Sequence, residues 1–322
     1  MNVLIFAHGD TDGLCAGALA LAACPEAQIF FSNPYRLMED LNLAAESDTV
    51  IVCDISLPEN KLTQVLDRFS ELSEKGSLTY IDHHPLPETV LIDDIPGKVV
   101  YNSLSSTSEL AYSFFQDRLD PLHARKAIYG AIADYLDNTP LIQILLRRWD
   151  KRTLYLETGI LVQGVESLGR NDEFRRRIAN NLANNSPPSR DEELVRMAIQ
   201  YTRREWEVVS ELKGQTKVEG RIAYTLNFPF SLGKTATYLS GIRGILVGIA
   251  GEKRRENIDM SLRTCDENID LNALLRKIAP EMGGSGGGHP MAAGARVPEK
   301  NFEKLLRELN ANLESKNKVK SG

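Results

Sequence analysis

The stretch VLIFAHGDTDGL, at residues 3–14, joins a short apolar run to a polar turn and then to a second apolar segment. The run at 3–7 is apolar and rich in β-favouring side chains, which predicts a buried strand. Residues 13–23 are small and apolar over a helical length, which predicts a buried helix. A strand that passes into a helix through such a turn is typical of an α/β sheet, where ligands bind at the carboxyl ends of the strands.

The same alternation of strand and helix continues through the first half of the chain. Hydrophobic spacing predicts further strands at 28–31, 49–55 and 78–81, and helices at 35–45, 59–74, 106–119 and 122–134. Strands that alternate with helices predict a parallel sheet with helices on both faces. We therefore predict an α/β fold for this half, followed by a mostly helical stretch to about residue 185.

A polar run with two prolines, NNSPPSRDEE at 184–193, interrupts the helical stretch and predicts a domain boundary. The predicted organisation is a first domain at 1–186, a linker helix at 187–213, a smaller α/β domain at 214–315 and a disordered tail at 316–322, with a cleft between the domains. Strands are predicted in the second domain at 221–227, 245–250, 258–263 and 295–297, and helices at 234–241, 271–279 and 301–313.

The composition is that of an ordinary globular protein with room for two domains, since 42% of its 322 residues are hydrophobic. Its net charge of -6 argues against a protein that coats long duplex DNA and favours a small anionic substrate. The four cysteines form no C-x-x-C pair, and no basic leader or membrane-length apolar run is present. These features predict a cytoplasmic protein with no membrane contact.

Acids and histidines follow three of the predicted strands. His8, Asp10 and Asp12 follow the first strand, Asp54 ends the run TVIVCDI, and the sequence DHH occupies 82–84 after a third strand. Each acid alone has a simpler explanation, as a helix cap or the start of a loop. Because the carboxyl ends of parallel strands meet at one edge, we instead predict a shared site for a hard cation such as manganese, magnesium or iron.

Two further features extend this prediction. Asp134 interrupts the apolar face of a predicted helix, and a buried acid of this kind needs a partner, which a metal would supply. In the second half, GGSGGGHPMAAG at 283–294 contains Gly286, Gly287, Gly288 and His289. A glycine run can expose backbone N–H groups to a phosphate, although glycine runs are more often flexible linkers. The predicted strand after the run favours an ordered segment.

Taken together, these motifs resemble the DHH phosphoesterase superfamily. The resemblance rests on HGDTDG at 8–13, Asp54 within VCDIS, DHHP at 82–85 and Asp134. The glycine-rich run and SLRT at 261–264 are similar to the associated DHHA1 domain. Within the superfamily the chain is similar to the short RecJ-like and oligoribonuclease-like branch. The resemblance implies a parallel-sheet DHH domain joined by a helix to a DHHA1 domain.

The resemblance also implies a role for each candidate residue. His8, Asp10 and Asp54 would hold one metal, and Asp12, Asp54, His83 and Asp134 would hold the second, with Asp54 shared. Asp82 and His84 would form a catalytic pair, in which Asp82 orients the histidines and His84 assists the leaving oxygen. Substrate would be bound by a further set: Ser106, Thr107, Arg263, Gly286, Gly287, Gly288 and His289. Ser106 is equally explained as an ordinary helix cap.

The predicted activity is hydrolysis of phosphodiesters with two divalent metal ions, Mn²⁺ being preferred and Mg²⁺ the alternative. We predict a phosphodiesterase or exonuclease that converts short single-stranded oligonucleotides or linear dinucleotides to nucleoside monophosphates. Alternatives are a phosphomonoesterase acting on a nucleotide such as 3′-phosphoadenosine 5′-phosphate, a RecJ-like single-strand exonuclease, and a non-catalytic nucleotide-binding partner. A homodimer is an open alternative for the oligomeric state.

Overall fold

A parallel sheet of five strands forms the centre of the first unit, Met1–Thr202, in the computed structural model of this chain. The structure describes residues 2–45, 48–169 and 171–318. The strands are β1 (Val3–His8), β2 (Gln28–Ser32), β3 (Thr49–Cys53), β4 (Ser77–Asp82) and β5 (Lys98–Tyr101), in the order β2-β1-β3-β4-β5. The register places Phe6 of β1 beside Phe30 on one side and Val52 on the other.

Alternate side chains of the strands enter two separate cores, because successive residues of a strand point to opposite faces. Ile5 and Ala7 of β1 lie in the core on one face, and Leu4 and Phe6 lie in the core on the other. All four are buried, as expected for a parallel sheet that is covered on both sides.

Nine helices of the described residues belong to this unit or begin in it. They are α1 (Thr11–Ala23), α2 (Leu37–Asp40), α3 (Leu62–Lys75), α4 (Thr107–Phe115), α5 (Ala124–Ala133), α6 (Pro140–Leu146), α7 (Lys151–Ser167), α8 (Asp172–Ala183) and α9 (Glu192–Gln215). Helices α2 and α3 cover one face of the sheet, and α1 packs against α4, α5 and α8 on the other. Helix α1 is buried from Thr11 to Leu21, which explains its small apolar residues.

Predicted elements of this unit match the structure with two exceptions. The helix predicted at 35–45 is only the short α2 followed by a 3-10 turn at Leu41–Leu43. Strand β5 was not predicted, because its four residues, KVVY, are too few to show a period.

The second unit, Arg203–Gly322, contains a mixed sheet of six strands. Its elements are β6 (Lys217–Glu219), β7 (Ile222–Leu226), α10 (Leu232–Arg243), β8 (Val247–Arg254), β9 (Asn257–Thr264), α11 (Leu271–Glu281), β10 (Ser285–Gly288), β11 (Ala292–Pro298) and α12 (Phe302–Lys318). The strand order is β10-β11-β9-β8-β7-β6, and only β7 and β8 pair in parallel. Helices α11 and α12 bury their apolar faces in one core, and α10 and the end of α9 contribute to another.

The predicted fold class is confirmed, since a parallel sheet with helices on both faces precedes a smaller α/β unit. The two units divide between Thr202 and Arg203, inside α9 and within the stretch predicted as a linker helix at 187–213. Helix α12 extends into the tail predicted as disordered at 316–322, and residues 319–322 lie outside the described residues. Within the described residues, no helix combines the length and apolar character needed to cross a membrane.

Candidate metal centre

The carboxyl ends of β1, β3 and β4 lie side by side in the sheet, and each is followed by polar residues. Strand β1 ends at His8, β3 ends one residue before Asp54, and β4 ends at Asp82. The predicted convergence of these residues at one sheet edge is therefore what the structure shows. It brings together three overlapping sets of donor atoms, each set lying within 4.8 Å: His8, Asp10 and Asp54; Asp12, Asp54 and His83; Asp54, Asp82 and His84.

Asp54 belongs to all three sets and has an unusual backbone. Its φ of 63° lies in the left-handed region, which non-glycine residues rarely adopt and in which aspartate and asparagine are among the best tolerated. Its N–H donates to the carbonyl of Ile81 at 2.9 Å, which anchors this conformation to β4. Strained residues of this kind occur mainly where function requires them. Here the conformation places the carboxylate inside the edge of the sheet, with 1% of its side chain exposed.

The two oxygens of Asp54 have different surroundings. Oδ1 accepts a hydrogen bond from Oγ1 of Thr107 at 2.8 Å and lies 3.4 Å from Nε2 of His83. Oδ2 lies 3.8 Å from Nδ1 of His8 and is buried, and no donor of the described residues hydrogen-bonds to it. A buried carboxylate oxygen is costly when it lacks a donor or a cation, so Oδ2 is suited to a metal ion.

Asp12 is held by the N-terminus of α4, far away in sequence. Oδ2 of Asp12 accepts the N–H of Thr107 at 2.7 Å, and Oδ1 accepts the N–H of Ser108 at 3.0 Å. These N–H groups belong to the first turn of a helix, where no intrahelical partner exists and the helix dipole favours a negative charge. The N-terminus of α4 therefore fixes the position of the carboxylate of Asp12, which belongs to the first turn of α1.

Asp134 completes the arrangement from the end of α5. Its Oδ2 lies 3.3 Å from Nε2 of His83, which also contacts Asp54. Asp12, Asp54 and His83 are almost fully buried, whereas the side chain of Asp134 is 28% exposed. Nδ1 of His8 lies 2.8 Å from Oδ2 of Asp10, and both side chains are also partly exposed. The site is thus closed at its base and opens towards these residues and Asp134.

Asp82 and His84 form a contact beside Asp54. Nδ1 of His84 lies 2.8 Å from Oδ1 of Asp82, while the hydroxyl of Tyr80 donates to Oδ2 of the same carboxylate at 2.7 Å. A carboxylate with two such partners fixes the orientation of a histidine ring. Burial lowers the pKa of His84, but the charge of Asp82 and the bond to it raise the pKa overall. The pairing predicted from the sequence is therefore present.

The electrostatics of the site favour a cation. Burial raises the pKa of Asp54 well above its usual value, and the neighbouring charges of Asp10 and Asp12 raise it further. Burial and the charge of Asp134 raise the pKa of Asp12 to about 7. Because their negative charges repel one another, carboxyl groups held this closely cannot all ionise unless a positive charge lies beside them. Oxygen and imidazole donors are those that hard divalent cations accept, so the residues fit a pair of such ions.

Two glycines permit the close approach of these elements. A Cβ at Gly13 would lie 2.6 Å from the carbonyl oxygen of His8 and 2.9 Å from Oδ2 of Asp54. A Cβ at Gly130 of α5 would lie 2.1 Å from Oγ of Ser108 and 2.3 Å from Oδ1 of Asp12. Any side chain at these positions would displace the carboxylates, so both glycines belong to the construction of the site.

Ser106 and Thr107 differ from their predicted role as substrate-binding side chains. Both are completely buried. The hydroxyl of Ser106 caps α4 by accepting the N–H of Glu109 at 3.2 Å, and the hydroxyl of Thr107 donates to Asp54. The hydroxyl of Thr107 therefore holds an acid of the site, and the capping explanation of Ser106 is the one that the structure favours.

In the second unit, the glycine run forms a strand, and phosphate binding by its backbone N–H groups stays a prediction. Gly286, Gly287 and Gly288 belong to β10, which pairs with β11 and lies at the edge of the sheet. The N–H of Gly288 donates to Oδ1 of Asn272 at 3.0 Å. A Cβ at Gly286 would lie 3.0 Å from Cβ of Leu275, so glycine allows α11 to pack closely on β10.

Arg263 and His289 lie at one end of this same sheet. Arg263 of β9 is opposite Ala292 of β11, and His289 and Ala292 exchange backbone hydrogen bonds of 2.9 and 3.2 Å across a tight turn. Nη1 of Arg263 donates to Oγ of Ser261 at 2.7 Å. The two predicted substrate residues are therefore neighbours in the fold, and their substrate contacts stay a prediction.

Several supporting residues were not predicted from the sequence. Nε of Arg175 donates to the carbonyl of Gly9 at 2.7 Å and holds the turn between His8 and Asp10. Ser108 and Tyr80 also hold carboxylates of the site. In the sequence, Ser108 and Tyr80 lie beside residues of the site, which is their only signal. The contacts of Ser108 and Arg175 span 96 and 166 residues and depend on how distant elements pack.

Comparisons with known proteins agree with this geometry. Residues 2–137 match the DHH family N-terminal domain, and residues 228–315 match the DHHA1 domain. The uncharacterized protein MJ0988 of Methanocaldococcus jannaschii is 24% identical over 272 residues, which are 81% of this chain and 72% of that protein.

Two solved structures share the fold. RecJ of Thermus thermophilus, in complex with Mn²⁺, superimposes with a TM-score of 0.69 and 18% identity over 97% of this chain. The match covers 52% of RecJ, so this chain spans about half the length of that protein. The pGpG-specific phosphodiesterase of Vibrio cholerae superimposes with a TM-score of 0.58 and 11% identity over 98% of this chain and 99% of its own.

The two family matches cover about two thirds of the chain and contain every residue of the cluster around Asp54. The order of the motifs, the sheet and the donor sets agree with one family. This chain belongs to the DHH/DHHA1 superfamily, whose members are metal-dependent phosphoesterases and exonucleases.

Proposed function

We propose that this protein is a phosphodiesterase or exonuclease that uses two divalent metal ions, preferably Mn²⁺, to hydrolyse short oligonucleotides or linear dinucleotides to nucleoside monophosphates. The observation that carries the proposal is the buried carboxylate of Asp54, with one oxygen facing His8 and the other facing His83. A carboxylate in this position can be shared by two cations, one on each side.

The donor sets support a division of the ligands between two ions. His8, Asp10 and Asp54 would hold one ion, and Asp12, Asp54, His83 and Asp134 would hold the other. When bound, two such cations would activate a water and stabilise the charge that develops at phosphorus. The N-terminus of α4 keeps Asp12 in place before any ion arrives, so little rearrangement is needed on binding.

His84 would supply the proton that the leaving oxygen takes up. Oδ1 of Asp82 would accept a hydrogen bond from Nδ1–H of His84, so that Nε2 carries the second proton of the imidazolium. Nε2 would then donate to the leaving oxygen as the phosphodiester bond breaks.

Two observations favour a short substrate. The match with the pGpG-specific phosphodiesterase of Vibrio covers 98% of this chain and 99% of that protein. The net charge of -6 also provides little general attraction for a long polyanion. Arg263 and His289 would bind the terminal phosphate or nucleotide.

A substrate panel tests this proposal. The purified chain with Mn²⁺ is incubated with 5′-labelled dinucleotides, longer single-stranded RNA and DNA, 3′-phosphoadenosine 5′-phosphate, cyclic dinucleotides and pyrophosphate. We expect the dinucleotides to be cleaved fastest, with monophosphates as products and no turnover after chelation of the metal. Exclusive cleavage of long strands, or of monoesters, would contradict the proposed substrate class.

A further inference from the structure

The end of α5, directly beside the metal centre, has an unexpected residue. The helix terminates in a turn in which the N–H of Tyr135 donates to Ile132 at 3.2 Å and the N–H of Leu136 donates to Ala131 at 2.8 Å. This pair of bonds defines a helix end whose key residue is left-handed and is usually glycine. The residue here is Tyr135, with a φ of 59°.

Two other helices of this chain end at a left-handed residue that tolerates this conformation. Helix α8 ends with the same pair of bonds, and its left-handed residue is Asn185, with a φ of 58°. Helix α10 ends at Gly244, with a φ of 61°. Glycine and asparagine are the residues that tolerate this conformation. Because a tyrosine is disfavoured there, the turn itself does not explain Tyr135.

Packing does not explain Tyr135 either, since its side chain is 86% exposed. It follows Asp134, whose carboxylate contacts His83 on the open side of the site. The Cα atoms of Asp134 and Tyr135 are about 3.8 Å apart, so this tyrosine is one residue away from a carboxylate of the site. A strained, exposed aromatic residue next to such a carboxylate indicates a function in binding.

We propose that Tyr135 is the residue on which the nucleobase stacks when the phosphate of the same nucleotide lies at the metal centre. This inference rests on the proposed function and adds the part of the substrate that is recognised. Every nucleobase offers a flat π face, so stacking accepts any base. The site would therefore select phosphodiesters that carry a base over those that lack one, without reading its identity.

Matched substrates and variants test the stacking. The substrates are a dinucleotide and the same molecule with an abasic sugar at the cleaved position, and kcat/KM is measured for both. We expect Tyr135→Asn to reduce the preference for the base-bearing substrate by about ten- to a hundredfold, and Tyr135→Phe to keep it. Tyr135→Asn should also raise the Tm, because asparagine suits the left-handed turn. A merely structural tyrosine would change neither the substrate preference nor the Tm in this direction.

Trp206→Ala removes another exposed aromatic residue and serves as the control, with an unchanged preference expected. Stacking is overturned if the wild type prefers the base-bearing substrate and Tyr135→Asn keeps that preference. It is also overturned if Tyr135→Asn alters only the oligomeric state in size-exclusion chromatography, since the ring would then belong to an interface. A wild type that cleaves neither substrate would instead show that the proposed function has failed, and the inference with it.

Discussion

The pocket around Asp54 and the glycine strand β10 carry the two strongest motifs of the chain, but they are built differently. In the Asp54 pocket, side chains of distant elements meet, and Asp12, Asp54 and Asp134 each contact a residue that is distant in sequence. In β10 the glycines mainly make backbone ladder bonds and allow a helix to pack closely. A motif of acidic and histidine side chains thus indicates a reaction site directly, whereas the glycine motif of β10 indicates that backbones pack closely.

This difference predicts separate consequences of mutation. Changes in the Asp54 pocket should remove metal binding and turnover together, because the same carboxylates supply both. Changes near β10 and β9 should weaken substrate binding and leave the metals in place.

The largest effect is expected for Asp54→Asn. Asparagine tolerates the left-handed backbone, so the fold should be kept, but the negative charge shared by both donor sets is lost. We expect kcat to fall by at least about 1,000-fold. Circular dichroism controls for folding, and wild-type turnover with Mn²⁺ present would refute the assignment of Asp54.

A smaller effect is expected for Arg263→Lys. A lysine lacks the planar fork with which arginine grips a phosphate, so KM for the dinucleotide should rise by about ten- to a hundredfold. Metal affinity, measured by titration, should stay constant. Arg296→Lys is the matched control, since Arg296 of the same sheet forms an exposed pair with Asp259. Loss of metal binding in Arg263→Lys would contradict the assignment of metal binding to the Asp54 pocket and of substrate binding to the region of β9 and β10.

The packing of the pocket is tested by Gly130→Ala. The added methyl group would lie 2.3 Å from Asp12 and should destabilise the protein by about 1–3 kcal/mol while weakening metal binding. Gly159→Ala, in α7 with nothing within 4 Å, is the control. It should be stabilising by about 0.5–1 kcal/mol. Denaturant unfolding measures the free energy of unfolding of both variants. The same change in both would contradict close packing around Gly130.

The smallest effect is a dependence of thermal stability on pH. The pKa of Asp12 is raised to about 7 in the metal-free protein, so its folded form binds more protons than its unfolded form above pH 4, and stability falls as pH rises to about 7. The pKa of His83 is raised to about 9, so its contribution to stability is lost as pH rises through that value.

Metal binding requires both groups to be deprotonated and so has the opposite trend. We therefore expect the Tm difference between protein with Mn²⁺ and protein with chelator to grow from pH 6 to pH 8.5. Thermal scans measure this difference, and Asp54→Asn serves as the control with a small, flat response. A difference that shrinks with pH would contradict the assignment.

The sequence predicted the parts of the site that follow from strand ends. His8, Asp54 and His83 could be grouped because the carboxyl ends of parallel strands share one edge. Thr107 and Arg175 could not be placed, since their contacts with Asp54 and Gly9 span 53 and 166 residues and depend on packing. The strand formed by the glycine run was also missed, because glycine has a low intrinsic preference for strands.

The proposed function requires Asp54 to lie between two cations. Electron paramagnetic resonance of the full chain titrated with Mn²⁺ can detect this arrangement, because two ions that share a ligand are magnetically coupled. We expect two bound ions per chain with a coupled signal, and loss of the coupling in Asp54→Asn. A single uncoupled ion in the wild type, or a coupled pair that survives in Asp54→Asn, would contradict it.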